Sequence, residues 1–115
     1  MALTKLIGDL IADDQISYAK ISNEFKTSAV IAASDIDFSA AQVFTKTLTA
    51  NTTFTFSNDQ VGMVKDIILT GDFTIAFPAG TKIANGEYDG TVSNFIQIAV
   101  VGSGDYWLTI SQEAV

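Results

Sequence analysis

The chain of 115 residues contains no cysteine, no histidine, no arginine and a single proline. Without cysteine there is no disulfide frame, no thiol nucleophile and no thiolate zinc site. Without histidine there is no Ser-His catalytic pair, no imidazole acid or base and no imidazole metal ligand. Without arginine there is no planar fork to grip a phosphate or carboxylate at two points. Positive charge is scarce altogether. Six lysines face ten aspartates and three glutamates, a formal net charge of -7. Phosphate backbones need clustered positive charge, so nucleic acid is not an expected partner. No window approaches 18 uninterrupted apolar residues, so no membrane span is expected either. The opening MALTKLIGDLIADDQ lacks the longer apolar core and small-residue cleavage site of a secretory signal, and synthesis in the cytoplasm is expected.

What is present points to a folded, β-rich domain. Eight Phe, three Tyr and one Trp set the chain apart from disordered sequences, which are poor in such residues. Thirteen threonines, most of them in alternating runs, agree with the strand preference of β-branched side chains. The pattern changes near residue 27. Before it, Leu3, Leu6, Ile7, Leu10 and Ile11 recur at the spacing of one helix face. Gly8 weakens that helix by about 1 kcal/mol relative to Ala. Burying the five aliphatic side chains gains about 8–15 kcal/mol, and ordering about ten backbone residues costs a similar amount. The segment therefore orders only against something else, whether its own β domain, a sister chain or another protein. We expect an N-terminal arm, helical or extended, over residues 1–27 and a β domain over residues 28–115.

From Ile36 onward the period is two. Runs at Val43–Leu48, Thr52–Ser57, Val64–Thr70, Phe73–Phe77, Phe95–Val101 and Tyr106–Ser111 read as strands, with a further short strand near Asp35–Phe38. Ala50-Asn51, Gly71-Asp72 and Gly102-Ser103-Gly104-Asp105 carry turn chemistry between them, and glycines suit two-residue hairpin turns. The expected fold is mainly β: three successive hairpins closed into a small antiparallel β-sandwich or barrel. One internal echo stands out. LTANTTFTF (Leu48–Phe56) matches LTGDFTIAF (Leu69–Phe77) at an offset of 21. Two copies fall short of the three that a solenoid needs, so the echo reads as two hairpins sharing one turn.

Candidate chemistry is thin. Asp35 and Asp37 lie on one strand face, where a carboxylate pair serves glycoside hydrolysis or Ca²⁺ binding; charge on a solvent-facing strand edge is the simpler meaning. Asp59, Asp66, Asp72, Asp89 and Asp105 fall at or near turns, where Asp bonds its own backbone. Gly102-Ser103-Gly104 leads into no helix, which removes a dinucleotide loop. Trp107 and Tyr88 are candidate glycan contacts. No enzymatic activity, cofactor or metal is expected. A different feature carries more weight. Val64–Thr70 and Phe95–Val101 are apolar on both faces, as in strands covered on both sides. Ile67 and Ile98, with the leucines and isoleucines of the arm, are accordingly expected at an oligomer or attachment interface.

The strings FTKTLTANTTFTFSN (Phe44–Asn58), ILTGDFTIAFPAGTKI (Ile68–Ile83), EYDGTVSNFIQIAVV (Glu87–Val101) and YWLTIS (Tyr106–Ser111) together resemble a β module found in virion proteins of tailed bacteriophages, among them fibre, tail-tip and head-decorating proteins. The opening MALTKLIGDLIADDQIS is similar in style to their attachment arms. The resemblance implies a non-enzymatic structural protein of the virion, usually a homotrimer, anchored by its arm to the major capsid protein or another virion protein. Long shafts and multiple modules, usual in the fibres, are missing from this sequence. That favours a capsid-associated component of decoration or head-fibre type over the alternative, a tail-associated receptor- or glycan-binding module.

Overall fold

The computed structural model describes residues 16–114. The stripe formed by Leu3, Leu6, Ile7, Leu10 and Ile11 lies outside this range. Two short 3-10 turns, Tyr18–Lys20 and Asn23–Lys26, precede ten strands. These are β1 (Ser28–Val30), β2 (Asp35–Asp37), β3 (Val43–Thr47), β4 (Thr52–Thr53), β5 (Thr55–Ser57), β6 (Val64–Thr70), β7 (Ile75–Ala76), β8 (Lys82–Asn85), β9 (Asn94–Gly102) and β10 (Asp105–Gln112).

The first seven strands do not form hairpins. They stack in parallel, β1 beside β3 beside β6, β2 beside β5, and β4 beside β7. The chain therefore coils. One rung holds β1 and β2, the next β3, β4 and β5, and the third β6 and β7. The arrangement is solenoid-like and corrects the expected sandwich or barrel. Segments read as hairpin partners, such as β6 and β7, lie in different sheets. The internal echo has a different meaning too. Thr47 pairs with Thr70 and Thr52 with Ile75, so the stacked rungs are offset by 23 positions, two more than the echo in the sequence.

The corners explain how rungs approach. Gly71, which the sequence places in a hairpin turn, has φ +114°, and a Cβ there would stand 2.7 Å from the Leu48 carbonyl oxygen. Only glycine allows this conformation and this contact together. The Leu48 N–H donates to Thr70 O at 2.7 Å across the same corner. At the next corner the Thr74 N–H donates to Asn51 Oδ1 at 3.0 Å, while the Thr52 N–H donates to Thr74 O at 3.0 Å. Turn-type residues thus join one rung to the next.

Coiling stops after Phe77, where Pro78 brings a residue without a backbone N–H and a turn closes by the Thr81 N–H donating to Pro78 O at 3.1 Å. The chain then crosses to the far edge of the main sheet. β9 and β10 form the one expected hairpin that is present, antiparallel from the Asp105–Gly102 pair to Gln112–Asn94. β9 also pairs antiparallel with β6, and β8 runs parallel to β10. The main sheet has the order β1-β3-β6-β9-β10-β8.

One core serves all three stacks. Phe44, Ile67, Leu69, Ile96, Ile98, Leu108 and Ile110 point inward from the main sheet and are buried with Ile36, Phe38 and Phe54. The rungs also stack aromatic on aromatic. Phe54 lies on Phe77 with centroids 5.7 Å apart, and Phe56 contacts Phe38 at 5.2 Å and the Tyr106 ring edge-on at 4.7 Å. Each such pair adds about 0.5–1.5 kcal/mol beyond area burial.

This core corrects one expectation directly. Ile67 and Ile98 are 0% exposed within the single chain, so neither is available to a partner. Alternation along a strand places every second side chain on the opposite face. The outward apolar positions include Ile68, next to Ile67, and Phe95, next to the equally buried Ile96.

Candidate functional site

Asp35 and Asp37 stand on β2 beside β5, and their surroundings are hydroxyl-rich. Thr55 Oγ1 and Ser57 Oγ donate to the two Asp35 oxygens at 2.8 and 2.5 Å. Asp37 Oδ1 accepts from Ser39 Oγ at 2.6 Å, the Ser39 N–H at 2.9 Å and Asn58 Nδ2 at 2.9 Å. The Ser39 hydroxyl first, then Asn58 and the Ser39 N–H, hold the Asp37 carboxyl below its ordinary value. A general acid needs the opposite shift. The pair works as lateral bracing between two rungs. Among the described residues, no group of three or more carboxylates is placed to hold a metal ion.

Of the aspartates expected to bond their own backbone at turns, Asp89 does so, whereas Asp66, Asp105 and Asp59 bond residues far away in the sequence. Asp89 accepts from Thr91 Oγ1 at 2.6 Å and the Thr91 N–H at 2.9 Å, which together lower its pKa. Asp66 accepts from Gln97 Nε2 at 3.0 Å, and Asp105 binds Lys82 Nζ at 2.6 Å. Tyr106 is held by Asp59 across 47 positions, its hydroxyl donating to Oδ2 at 2.8 Å. Burial, with the Asp59 carboxylate behind it, pushes the Tyr106 phenol pKa up.

The two candidate glycan contacts are not brought together. Tyr88 lies on the core side, where its hydroxyl donates to Gly71 O at 2.7 Å. Its pKa is raised by burial and then by the charges of Asp72 and Asp89. It lines a cavity of about 300 Å³ with Ile75, Phe77, Pro78, Ile83 and Ile110. Trp107 does not line that cavity. It sits on the outer face of the main sheet, 43% exposed, with Lys82 Nζ 5.4 Å from its ring centre. The cavity walls are mostly aliphatic and aromatic, and the chemistry they offer is hydrophobic contact.

Two polar residues that the sequence does not single out hold the structure together. Lys65 is on the inward side of β6 and 1% exposed. Its Nζ lies 3.0 Å from Glu24 Oε2, 3.4 Å from Gln42 Oε1 and 5.3 Å from the Phe25 ring centre. Glu24 and Phe25 belong to the expected arm, so residues near the arm's end are fastened onto the β domain. Alternation around Lys65 was the available signal, because it shares parity with Ile67 and Leu69. Asn94 is fully buried. Its amide donates to Asp89 O at 2.7 Å and Val92 O at 3.0 Å, and its oxygen accepts from the Asp89 N–H at 2.9 Å and Gln112 Nε2 at 2.8 Å. This saturation ties the loop before β9 to the last strand.

Among the described residues one sheet face is left apolar and open. The outer face of the main sheet carries a row in which Thr45, Ile68, Phe95 and Ser111 are adjacent, and another of Val64, Ala99, Trp107 and Lys82. Ile68 is 38% exposed, Val64 42% and Phe95 43%. No family model, curated protein or solved structure matches the chain.

Proposed function

We propose that the chain is a non-enzymatic structural component of a tailed-phage virion, of capsid-associated decoration or head-fibre type. In this reading it assembles as a homotrimer, and residues 1–27 attach it to the major capsid protein or another virion protein. The observation that carries the reading is the outer face of the main sheet. The core is already closed by the inward residues of the same strands, yet Ile68, Phe95 and Trp107 stay substantially exposed. Surplus apolar surface of this kind marks association. The sequence resemblance supplies the class of assembly. Carboxylates engaged in bracing and turns, as Asp35, Asp37 and Asp89 are, agree with a structural role.

Attachment through a short arm needs little affinity per copy, because many symmetry-related copies act together. The test is a particle-binding assay with the full chain and a chain lacking residues 1–15. That deletion keeps Glu24 and Phe25 in contact with Lys65. The expected result is a folded protein that no longer joins phage particles, with light scattering giving three times the chain mass for both proteins. Undiminished joining by the shortened chain contradicts attachment through the arm. A monomer at micromolar concentration contradicts the trimer.

A further inference from the structure

We infer that the outer face of the main sheet is the surface through which copies of this chain meet. The inference rests on the assembly reading above and deepens it, by giving this face to contacts between copies and not to the capsid or another virion protein. Six apolar side chains define it: Val30, Val64, Ile68, Phe95, Val101 and Trp107, each between 38% and 75% exposed. They lie in two rows, one around Ile68 and Phe95 and one around Val64 and Trp107, with Asp66 and Gln97 between them.

Charge selects the partner. The chain carries -7 overall, so two copies approaching at random bring carboxylates against carboxylates. The outward positions of β3, β6 and β9 hold one carboxylate, Asp66, and Gln97 Nε2 covers it at 3.0 Å. Lys82 and Asp105 at the margin neutralise each other at 2.6 Å. This face therefore lets acidic copies meet without stacking negative charge, and charge depletion with aromatic enrichment is the composition of an interface centre. A basic partner, in contrast, gains most from the acidic remainder of the surface. Closed rotational symmetry lets every copy in a ring bury the patch.

Trp107 is the only tryptophan and lies within the patch, so it reports contact directly. The experiment follows the full chain by sedimentation and by Trp107 emission with iodide quenching over a concentration series. Wild type is compared with Phe95→Lys, with the milder Phe95→Ser, and with Ser103→Lys at the tip of the β9–β10 turn. Circular dichroism checks the fold of each. The expected result is a blue shift and loss of quenching as wild type and Ser103→Lys associate, with association at least tenfold weaker in both Phe95 variants. Phe95→Lys and Ser103→Lys change net charge equally, so that pair separates surface from overall charge. An oligomer in which Trp107 stays open to iodide and the Phe95 variants associate normally overturns this inference and removes the outer face as support for the assembly reading, which then rests on the arm-deletion assay. A monomer at every concentration overturns both.

Discussion

β6 and β9 have two faces built from the same kinds of residue, and the described residues close only one of them. Ile67, Leu69, Ile96 and Ile98 are 0% exposed, whereas Ile68 and Phe95, each next to one of these in sequence, are 38% and 43% exposed. The inner face meets the aromatic column of stacked rungs. The outer face has no layer across it among the described residues. Hydrophobic sequence alone is thus not a measure of self-sufficiency. What matters is whether the coil places a second layer opposite the strand.

The largest effect belongs to the inner face. Ile98→Ala removes buried methyl groups from a filled core and should cost about 2–5 kcal/mol, read as a lowered denaturation midpoint in urea. A cost below about 1 kcal/mol at this site would break the comparison. Next comes the one ion pair at the edge of the core. Glu24→Gln leaves Lys65, 1% exposed, with only neutral partners. Removing one partner of a fully buried pair costs about 3–5 kcal/mol, and because Glu24 still touches solvent we expect about 2 kcal/mol. Rescue by the double variant Glu24→Gln, Lys65→Met should recover most of the loss in the same titration.

On the outer face the expected change in monomer stability is much smaller. Ile68→Ser should alter unfolding by no more than about 1 kcal/mol, as surface substitutions generally do, while weakening association. Measuring both quantities on one sample separates the two faces. The smallest effect is that of pH. Asp37 and Asp89 titrate below their ordinary value in the fold, so their contribution is present above the unfolded value and is lost as pH falls through the folded one. Tyr88 and Tyr106 titrate above theirs, so their contribution is complete below the unfolded value and is lost as pH rises through the folded one. With no His or Cys, the denaturation midpoint should be flat between about pH 5 and pH 9 and fall on both sides. A step near pH 6–7 would show that something else titrates.

Strand positions were legible from alternation. Val64–Thr70, Phe95–Val101 and Tyr106–Ser111 reappear nearly unchanged as β6, β9 and β10. Partners were not legible, because period two gives a strand its faces and says nothing of which strand lies beside it. Gly71 and Asn51 are suited to a hairpin turn and equally to a corner between stacked rungs. β8, Lys82–Asn85, was hidden among Gly, Pro and Asn, since an exposed edge strand needs no apolar face. β1 was missed for the same reason of brevity and exposure. Apolar character on both faces of β6 and β9 is plain in the sequence, but Ile67 and Ile98, the residues expected at an interface, face the core. Parity alone cannot say which face the coil encloses. Trp107 and Tyr88 are both aromatic but do not share a face, and the fold puts a sheet between them.

The most direct test uses the absence of native cysteine. Phe95→Cys and Ile96→Cys each introduce a single thiol, one on either face of β9, and the labelling rate of each by a small maleimide can be followed from nanomolar to high micromolar protein. The account predicts that the thiol at position 96 reacts slowly, and equally slowly at every concentration, because the chain's own core covers it. The thiol at position 95 should react fast when dilute and slow by tenfold or more as copies associate. Equal rates at both positions, or a rate at position 95 that ignores concentration, would contradict it.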